Sequence, residues 1–419
     1  MKKYVFLLIL LPLLLVGCGK KDHRVTIKMT AWGNDVEEAS IRDHLARFEE
    51  KYPNIHVVLE ITPWARMLDK LMISTAGGRP PDVTRMSSEW FVPLASKGVL
   101  MPLDDYIARD NFNLGEFYDS ALYGWARYNG LIYSLPTDID IYAMYYNKKL
   151  FDECGVPYPD ETWDYDKYVR ECKKICADTN GDGKIDRWGG SVDQFYENYV
   201  YSFGGSTLAP DNRRCLINSE KAVKGLQFMV DLVHKYKVAP SNEDSANMLN
   251  NKLFIQSKIA TYAGGSWAGD IWFDKEIKNF EWDVAPLPKG PERRASMLAG
   301  AAYAALSRSQ HPDEAWLLVE WMTNADFQSQ AAHRTQIIPA RKSVADEYLK
   351  IDRPPRNKQV FLDAIADSWT SPKVSCAPEI KKILDSSAEK MRLGKEPVKK
   401  IADETVPVVD RFLQAEKKP

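Results

Sequence analysis

Hydrophobic and polar positions change period along the N-terminal part of the chain. Residues 25–32 form a short run rich in β-forming residues, and residues 55–61 form a second such run. Between the two runs, residues 37–51 place Ile41 and Leu45 on one apolar stripe, which is the spacing of an amphipathic helix. The pattern therefore predicts a strand, a helix and a strand in succession.

The same succession continues after the second strand. A second helix is predicted over residues 64–75, where it ends at Gly77 and Gly78, and a third short strand follows Pro81. Strands that alternate with helices in this way are typical of a parallel sheet. The predicted fold class is therefore α/β.

The rest of the chain is richer in helix, and it contains no internal repeat. Helices are predicted over residues 165–177, 220–237, 247–256 and 312–323, and strands over residues 259–262 and 282–285. The segment 300–306 is small and apolar, and the C-terminal hundred residues are predicted to be mainly helical.

The N-terminus has the pattern of an export signal. Lys2 and Lys3 precede an apolar run over residues 4–16, which is too short to span a bilayer stably. A small residue follows the run. We therefore expect residues 1–17 to be a signal peptide that is removed.

The end of this signal resembles the lipobox of bacterial lipoproteins. Residues 15–18 read Leu-Val-Gly-Cys, and in such a motif the cysteine is acylated and becomes the mature N-terminus. Lipidation is therefore expected at Cys18, with residues 18–24 as a lipidated tether. Several acyl chains hold a protein firmly on a membrane, so we expect a lipid anchor on the extracytoplasmic side of the cell membrane.

Length and charge narrow the class of protein further. Removal of residues 1–17 leaves 402 of the 419 residues and changes the formal net charge from -2 to -4. Such a length usually means two domains, and such a charge gives no reason to expect nucleic acid as a partner. Twelve Trp, twenty Tyr and fifteen Phe exceed what cores alone need, and they suit a ligand with flat apolar faces.

Five cysteines remain once Cys18 is assigned to the anchor, and an odd number cannot all pair internally. Cys172 and Cys176 are four apart in a predicted helix, which is close to the upper distance limit for a disulfide. We expect the five to be small buried residues.

Many short segments, in order along nearly the whole mature chain, resemble the family 1 extracellular solute-binding proteins, which include the maltose-binding protein. The matching segments are AWGND at 31, FEEKYPNIHV at 48, GGRPPDV at 77, ASKGVLMPLDDYI at 95, YNGLIYSLPTDIDIYAMYYNKKLF at 128, ETWDYDKY at 161, FGG at 203, YAGGSWAGDI at 262, VAPLPKG at 284, MLAGAAYAALS at 297, QIIPARKSV at 336 and SW at 368. The resemblance implies a two-lobed periplasmic-binding-protein fold of type II, with a hinge and an interlobe cleft that closes over a ligand.

The resemblance also implies where the chain divides. The N-lobe would contain residues 25–137 and 300–337, and the C-lobe would contain residues 138–299 and 338–419. The function it implies is capture of a carbohydrate for an ABC importer, whose membrane-spanning permease subunits would recognise the closed shape. We expect the protein to act as a monomer.

Sugars present C–H faces that stack on aromatic rings and hydroxyls that need polar partners, so a sugar site combines Trp or Tyr with carboxylates and amides. Trp32 ends the first strand and Asn34 follows it, at the edge where α/β sheets bind ligands. Trp64 and Arg66 open the second helix. All four are candidate ligand-binding residues, although Trp32 could instead pack in the core.

Acidic residues supply further candidates. Glu89 and Trp90 follow the third strand, and the resemblance implies that the position of Glu89 contacts ligand. Asp138 and Asp140 lie in an apolar β-rich stretch, where carboxylates are costly unless something needs them. The resemblance implies a ligand-binding residue at Asp140, and an interlobe hydrogen-bond network is the alternative for both.

The remaining candidates are aromatic. Trp267 follows two glycines directly after a strand, where the backbone can approach a ligand closely. Tyr303 lies in the glycine- and alanine-rich segment. Tyr196 and Trp369 match positions that, by the resemblance, supply stacking rings in some members of the family.

One loop predicts a metal site. Asp178, Asn180, Asp182 and Asp186 occupy ligand positions of an EF-hand-type calcium loop, and Lys184 would contribute its backbone carbonyl. Gly189 replaces the usual bidentate glutamate, so a further ligand such as Asp193 would be needed. The prediction is a structural calcium ion, and the alternative is a solvated turn.

Other functions remain open at this point. A secreted carbohydrate-active hydrolase would also carry aromatic residues and paired carboxylates, such as Glu89 and Asp140. No metalloprotease, nucleophile-elbow or phosphate-loop motif occurs, so an enzyme is not expected. An adhesion protein, or a binding protein for a non-sugar solute, is a further alternative. Because Arg66 alone is basic among the candidates, a neutral oligosaccharide is the expected ligand.

Overall fold

The computed structural model describes residues 24–415. Its strands, numbered along the chain, are β1 Val25–Ala31, β2 Ile55–Ile61, β3 Val83–Ser87, β4 Arg127–Tyr128, β5 Leu131–Ile132, β6 Leu135–Pro136, β7 Asp138–Asn147, β8 Thr261–Gly265, β9 Trp282–Ala285, β10 Ser296–Ala299, β11 Ala301–Ala305, β12 Ile338–Pro339 and β13 Ser368–Trp369.

Helices cover most of the remaining regular structure. They are α1 Asp35–Lys51, α2 Trp64–Ala76, α3 Ser88–Ser96, α4 Asp104–Arg109, α5 Asp119–Trp125, α6 Lys148–Glu153, α7 Tyr165–Ile175, α8 Tyr196–Ser202, α9 Glu220–His234, α10 Asn250–Ile255, α11 Asp274–Glu276, α12 Pro312–Trp321, α13 Ala325–Thr335, α14 Gln359–Ala364, α15 Ala377–Arg392 and α16 Val398–Ala415. Short 3₁₀ or π turns occupy Leu114–Glu116, Gly269–Phe273, Lys342–Lys350 and Ile365–Asp367.

The first sheet contains five strands in the order β2-β1-β3-β11-β6. β1 pairs in parallel with β2 and with β3, whereas β11 runs antiparallel to β3 and to β6. Ile27, Met29 and Ala31, which alternate along β1 and therefore share one face of the sheet, are fully buried. The carboxyl ends of β1, β2 and β3 therefore meet at one edge of this sheet.

The second sheet is built around β7. This ten-residue strand pairs antiparallel with β8, β9, β10 and β12, and β13 lies parallel to β10. Apolar side chains from both of its faces are buried, in two separate hydrophobic clusters. One face of β7 packs in the cluster that also contains β1 and β3, and its other face packs in the second cluster, so this strand contributes to both cores.

The chain passes between the two sheets at neighbouring points. β6 belongs to the first sheet and β7 to the second, with only Thr137 between them, and Gly300 separates β10 from β11 in the same way. Asp140 pairs with Ala299, which places these two passages side by side. A Cβ on Gly300 would lie 2.3 Å from the carbonyl oxygen of Asp138, so no larger residue fits there.

Several predicted elements end earlier or later than the sequence pattern indicates. The helix predicted over 247–256 begins only at Asn250, because Ala246 and Asn247 adopt positive φ angles of 49° and 59°. The helix predicted to reach residue 237 ends at His234, and Lys237 has a φ of 56°. These left-handed residues interrupt the helical hydrogen-bond pattern.

The predictions for the N-terminus fall largely outside the described residues. The signal peptide over residues 1–17 and the lipidation of Cys18 lie there, whereas Arg24, the last residue of the predicted tether, donates a 2.9 Å hydrogen bond to Glu49. Within residues 24–415, no helix combines the length and the apolar character needed to cross a membrane.

The cysteines in the described part of the chain are less buried than expected. Cys154, Cys172, Cys176 and Cys215 carry free thiols. Cys172 and Cys215 are buried, whereas the other two are half-buried, as is Cys376. Cys172 and Cys176 are therefore not joined to each other.

Candidate functional site

A cavity of about 360 Å³ opens between the two sheets. The helices that follow the first sheet contribute Leu68, Glu89 and Trp90 to its wall. The opposite wall comes from the second sheet and the helices beside it, and consists of Phe195, Tyr196, Glu197, Thr207, Met297, Trp369, Ser371, Pro372, Val374, Ala377, Pro378, Ile380, Lys381, Lys382, Leu384 and Asp385. Its size is that of a small-molecule site, and its position is that of a cleft.

Three tryptophans meet on the first-sheet side of the cavity. Trp32 follows β1 and packs edge-on against Trp90 with ring centroids 5.4 Å apart, and Trp64 lies over Trp90 at 5.4 Å with an interplanar angle of 32°. They come together because each begins the segment after one of three neighbouring parallel strands. Trp90 lines the cavity, whereas Trp64 is 46% exposed beside it.

On the opposite wall, hydrogen bonds hold Trp369 in a fixed orientation. Its indole N–H donates to Asn198 Oδ1 at 2.7 Å, and Asn198 Nδ2 donates to the buried Asp193 at 2.6 Å. Tyr201 packs against the Trp369 ring at 4.9 Å. The ring is therefore oriented before any ligand enters, which lowers the entropic cost of binding.

Trp267 lies next to this wall without lining the cavity. It packs edge-on against Tyr142 at 5.4 Å, and Tyr142 in turn packs against Phe195, which does line the cavity. A Cβ on Gly265 would lie 2.0 Å from the Trp267 ring, so the glycine is needed for this close approach.

Three carboxyl side chains (Glu89, Glu197 and Asp385) and two lysines (Lys381 and Lys382) supply the charge of the cavity. Lys381 donates a 2.8 Å hydrogen bond to Asp385, and both side chains belong to α15. Burial raises the pKa of Glu89, with Lys381 acting in the opposite direction. Burial likewise raises the pKa of Glu197 to about 7. The walls thus carry three acidic and two basic side chains.

Behind the tryptophans, Arg85 joins the two carboxylates that flank the chain passage. Its guanidinium donates to Glu37 at 3.1 Å and to Asp138 at 3.2 Å, and it stacks on the Trp32 ring at 4.4 Å. The second oxygen of Asp138 accepts a 2.6 Å hydrogen bond from the backbone N–H of Ala301. Both oxygens of Asp138 are therefore used within the protein.

Asp140 is the carboxyl next to this network. Burial, together with the nearby Asp138 carboxylate, raises the pKa of Asp140 to about 8, and the Ser266 hydroxyl lies 3.5 Å from it. This shift favours the neutral carboxyl, which can donate as well as accept a hydrogen bond. It is not among the residues that line the cavity.

Comparison with known proteins assigns the chain to a family. The model of the family described as bacterial extracellular solute-binding protein matches residues 32–329. The chain belongs to this family.

Several relatives of the chain are named oligosaccharide-binding proteins. The galactooligosaccharide-binding protein of Bacillus subtilis is 24% identical over 407 residues, covering 93% of this chain and 92% of that protein. A putative binding protein of Brucella abortus is 25% identical over 356 residues, covering 83% of each chain. These likenesses extend beyond the stretch matched by the family model.

Solved structures of the same kind share the fold. An ABC substrate-binding protein from Listeria monocytogenes, in complex with cycloalternan, superposes with a TM-score of 0.83 at 23% identity, covering 93% of this chain and 99% of that chain. The cyclic α-maltosyl-1,6-maltose binding protein from Arthrobacter globiformis gives 0.79 at 19% identity, covering 94% and 100%. The two-lobed α/β fold predicted from the sequence is confirmed.

Besides Trp32, Trp64, Asp140 and Trp267, four more predicted site residues do not line the cavity, because the structure gives them other surroundings. Asn34 caps α1: its side chain accepts from the N–H of Val36 and Glu37, and Glu37 accepts from the N–H of Asn34 in return. Arg66 is exposed. Asp138 belongs to the Arg85 network, which is the alternative that the sequence left open.

Tyr303 is the fourth of these residues. It is 1% exposed, and its hydroxyl faces an internal space of about 20 Å³, beside Arg85 and Thr137. Arg85 Nε, Thr137 Oγ1 and the Tyr303 hydroxyl all lack a protein hydrogen-bond partner there. Such a space holds about one water molecule. Tyr303 is therefore a core residue beneath the site.

The sequence reasoning missed Phe195, Glu197, Lys381 and Asp385, all of which line the cavity. Lys381 and Asp385 are spaced four apart on α15, which on sequence alone is typical of a solvent-exposed ion pair. Only Glu197 could have been found from the sequence, because it is a carboxylate directly next to the predicted aromatic residue Tyr196 on α8.

The side-chain oxygens of the predicted calcium loop accept hydrogen bonds from within the loop itself. Asp178 accepts hydrogen bonds from the N–H of Gly181 and Gly183, at 2.7 Å each, and Asp186 accepts from Thr179 at 2.8 Å and 2.7 Å. Among residues 24–415, no group of three or more His, Cys, Asp or Glu side chains is placed to hold a metal.

The other side chains of this loop also accept hydrogen bonds from its backbone. Asn180 accepts from the N–H of Asp182, and Asp182 from the N–H of Lys184. The proposed extra ligand, Asp193, is buried in the network behind Trp369. The calcium prediction is therefore not supported, because backbone N–H groups already occupy the carboxylates of a self-contained turn.

Proposed function

We propose that this chain is the substrate-binding component of an ABC importer and that it carries a neutral oligosaccharide in the cavity between its two sheets. The observation that carries the proposal is the composition of that cavity. Trp90 faces it from one sheet and Trp369 from the other, with Glu89 and Glu197 beside them. Aromatic faces suit sugar C–H surfaces, and carboxylates accept hydrogen bonds from sugar hydroxyls.

The two sheets would form lobes that close over the sugar. The N-lobe would comprise residues 25–137 and 300–337, and the C-lobe residues 138–299 and 338–419. The sheet membership of the strands supports this division, and the adjacent chain passages at Thr137 and Gly300 would serve as the hinge. The permease subunits would recognise the closed form.

Titration calorimetry of the purified protein with maltotriose, galactotriose, an arabinotriose and cycloalternan tests the proposal. These sugars represent the ligands after which related proteins are named or with which they were crystallised. At least one should bind and be recovered unchanged. A sugar recovered in cleaved form would instead support the hydrolase alternative, and no binding to any of the four would contradict the proposal.

Trp64→Ala should weaken binding of that sugar by about 1–2 kcal/mol, or about 5- to 30-fold, because the exposed ring extends the Trp90 surface. The unfolding midpoint should change little, since the ring is 46% exposed. Ile73→Ala is the matched control, because Ile73 is an apolar residue of the same helix that is 72% exposed and lies outside the cavity. Equal affinities for the two variants would remove Trp64 from the site.

We further propose that the chain is exported and anchored by lipid on Cys18. The lipobox-like residues 15–18 support this, as does a 23% identical relative from Streptococcus pneumoniae, which is named a solute-binding lipoprotein. Metabolic labelling with an alkyne-tagged palmitate should mark the wild type in bacteria and should not mark Cys18→Ala. Labelling of both, or of neither, would contradict the anchor.

A further inference from the structure

A small internal space lies beneath the candidate site, and three polar groups of the residues that border it have no hydrogen-bond partner in the described part of the chain. The space measures about 20 Å³, and Arg85, Thr137 and Tyr303 border it. Arg85 Nε, Thr137 Oγ1 and the Tyr303 hydroxyl are all buried, and no group within residues 24–415 pairs with them. Because buried polar atoms are nearly always paired, three such atoms beside one space indicate a bound partner.

This space lies where the chain passes between the two sheets. Thr137 is the residue between β6 and β7, and its backbone N–H donates to the carbonyl of Ala301, directly after Gly300, at 2.9 Å. The carbonyl of Thr137 accepts from the N–H of Ala340 at 3.3 Å, directly after β12, the strand by which the chain returns to the second sheet. Ile337, directly before β12, also borders the space. Three chain passages therefore meet at Thr137.

The neighbouring carboxyl groups already have donors of their own. The two oxygens of Glu37 accept from Arg85 at 3.1 Å and from the N–H of Asn34 at 2.9 Å. The two oxygens of Asp138 accept from Arg85 at 3.2 Å and from the N–H of Ala301 at 2.6 Å. The partner of the three unpaired groups is therefore a species small enough for a space of about 20 Å³.

The charges and the size of the space favour a water molecule. The Arg85 guanidinium already pairs with the Glu37 and Asp138 carboxyl groups, so no excess positive charge attracts an anion. The same guanidinium repels a cation, and its Nε–H can only donate a hydrogen bond. A water molecule accepts one hydrogen bond from Arg85 Nε and donates one to each of the two hydroxyl oxygens, so it satisfies all three groups. It needs roughly 10–15 Å³ and two to four polar partners, and both conditions are met.

We propose that one water molecule is bound by Arg85, Thr137 and Tyr303 at the meeting point of the three chain passages, and that it holds these passages together. The water joins β3, which carries Arg85, and β11, which carries Tyr303, to the residue between β6 and β7. The inference goes beyond the proposed function, because it depends neither on the ligand nor on the importer. In the proposed division into lobes, this water is part of the hinge.

A crystal structure of the wild type, at a resolution that shows ordered water, tests the site. It should contain one water within hydrogen-bond distance of all three atoms. The double variant Thr137→Val, Tyr303→Phe keeps the shapes of both side chains and removes both hydroxyls, so the water should be lost for want of partners. An ion at this place in the wild type, or no density there, would overturn the inference.

Thr323→Val is the matched control for the loss of a buried hydroxyl. Thr323 is fully buried, its hydroxyl donates to the carbonyl of Val319 at 2.8 Å, and it does not border the space. This variant should keep the water. Loss of the water in the control as well would mean that the site does not depend on the hydroxyls of Thr137 and Tyr303, which contradicts the assignment.

Hydrogen exchange followed by mass spectrometry tests the role of the water in solution. In the double variant, peptides that cover residues 135–141, 299–303 and 337–341 should exchange about 3- to 10-fold faster than in the wild type, because a buried link between the passages is lost. Peptides from β1 should exchange at the wild-type rate. Unchanged exchange in the three passages, or a uniform rise over the whole chain, would show that the water does not hold the passages together.

Tyr303→Phe alone serves if the double variant does not fold. It removes one of the three partners, and the same three peptides should exchange at least about twofold faster, again without a change in β1. No rise in these peptides would overturn the inference. None of these measurements uses a sugar, so the water site and the proposed carrier function can fail separately.

Discussion

Arg85→Met is expected to lower the free energy of unfolding by about 3–5 kcal/mol at neutral pH. Arg85 is 8% exposed and is the cation that compensates Glu37 and Asp138. Its loss leaves Asp138, which is 2% exposed, with a carboxylate in the protein interior and no counter-charge. Removing one partner of a buried ion pair costs more than the pair itself contributes, because the remaining ion keeps its desolvation penalty.

Urea unfolding of the purified protein, followed by circular dichroism, measures this loss. Arg66→Met is the control, because Arg66 is an exposed arginine of the same lobe and its replacement should change the free energy by no more than about 0.5 kcal/mol. The triple variant Arg85→Met, Glu37→Gln, Asp138→Asn should recover much of the loss, since no uncompensated carboxylate remains. A change below about 1 kcal/mol for Arg85→Met would show that the network is not a stabilising element.

The second large effect is expected on binding. Trp369→Ala should weaken affinity for the sugar identified by calorimetry by about 2–4 kcal/mol, or about 30- to 1,000-fold. Trp369 lines the cavity, and the bond from its indole N–H to Asn198 fixes the ring before binding. A preorganised aromatic surface of this kind provides most of the binding energy in many sites, because little entropy is lost when the ligand enters.

Loss of a large side chain also reduces stability, so the affinity effect needs a control that shares that cost. Trp163 is fully buried in the same hydrophobic cluster as Trp369 and does not line the cavity. Trp163→Ala should lower the free energy of unfolding by about 3–5 kcal/mol and leave the affinity of the folded protein unchanged. Equal affinity losses in the two variants would mean that Trp369 acts only through the fold.

The order of strands and helices in the first ninety residues could be predicted closely. β1, β2 and β3 lie within one to a few residues of their predicted positions, because the change from period 2 to period 3.6 is a local property of the sequence. Helix ends were predicted less well. The left-handed conformations of Asn247 and Lys237 depend on how the following segment packs, and local propensity does not reveal that packing.

The residues of the candidate site also divide into those that local sequence could identify and those that only tertiary packing reveals. Glu89, Trp90, Tyr196 and Trp369 were singled out from the sequence and all line one cavity. Asn34 has a residue type equally suited to a sugar site and to a helix cap, and the capping box with Glu37 decided between them. Phe195 and Lys381 carry no local signal of a site. Their place on the wall depends on how α8 and α15 pack beside the second sheet.

The sequence by itself determined the α/β class and the resemblance to solute-binding proteins, because periodicity and motif order are local properties of the chain. The tertiary structure decided which side chains share a cavity and which are used by the fold. Glu89 and Trp369 are 280 positions apart and meet only through the packing of two sheets. Asp138 accepts a hydrogen bond from Arg85, and Asp178 accepts one from the backbone N–H of Gly181 in its own loop. In both cases the fold places a donor next to a buried or constrained carboxylate, which pairs with it.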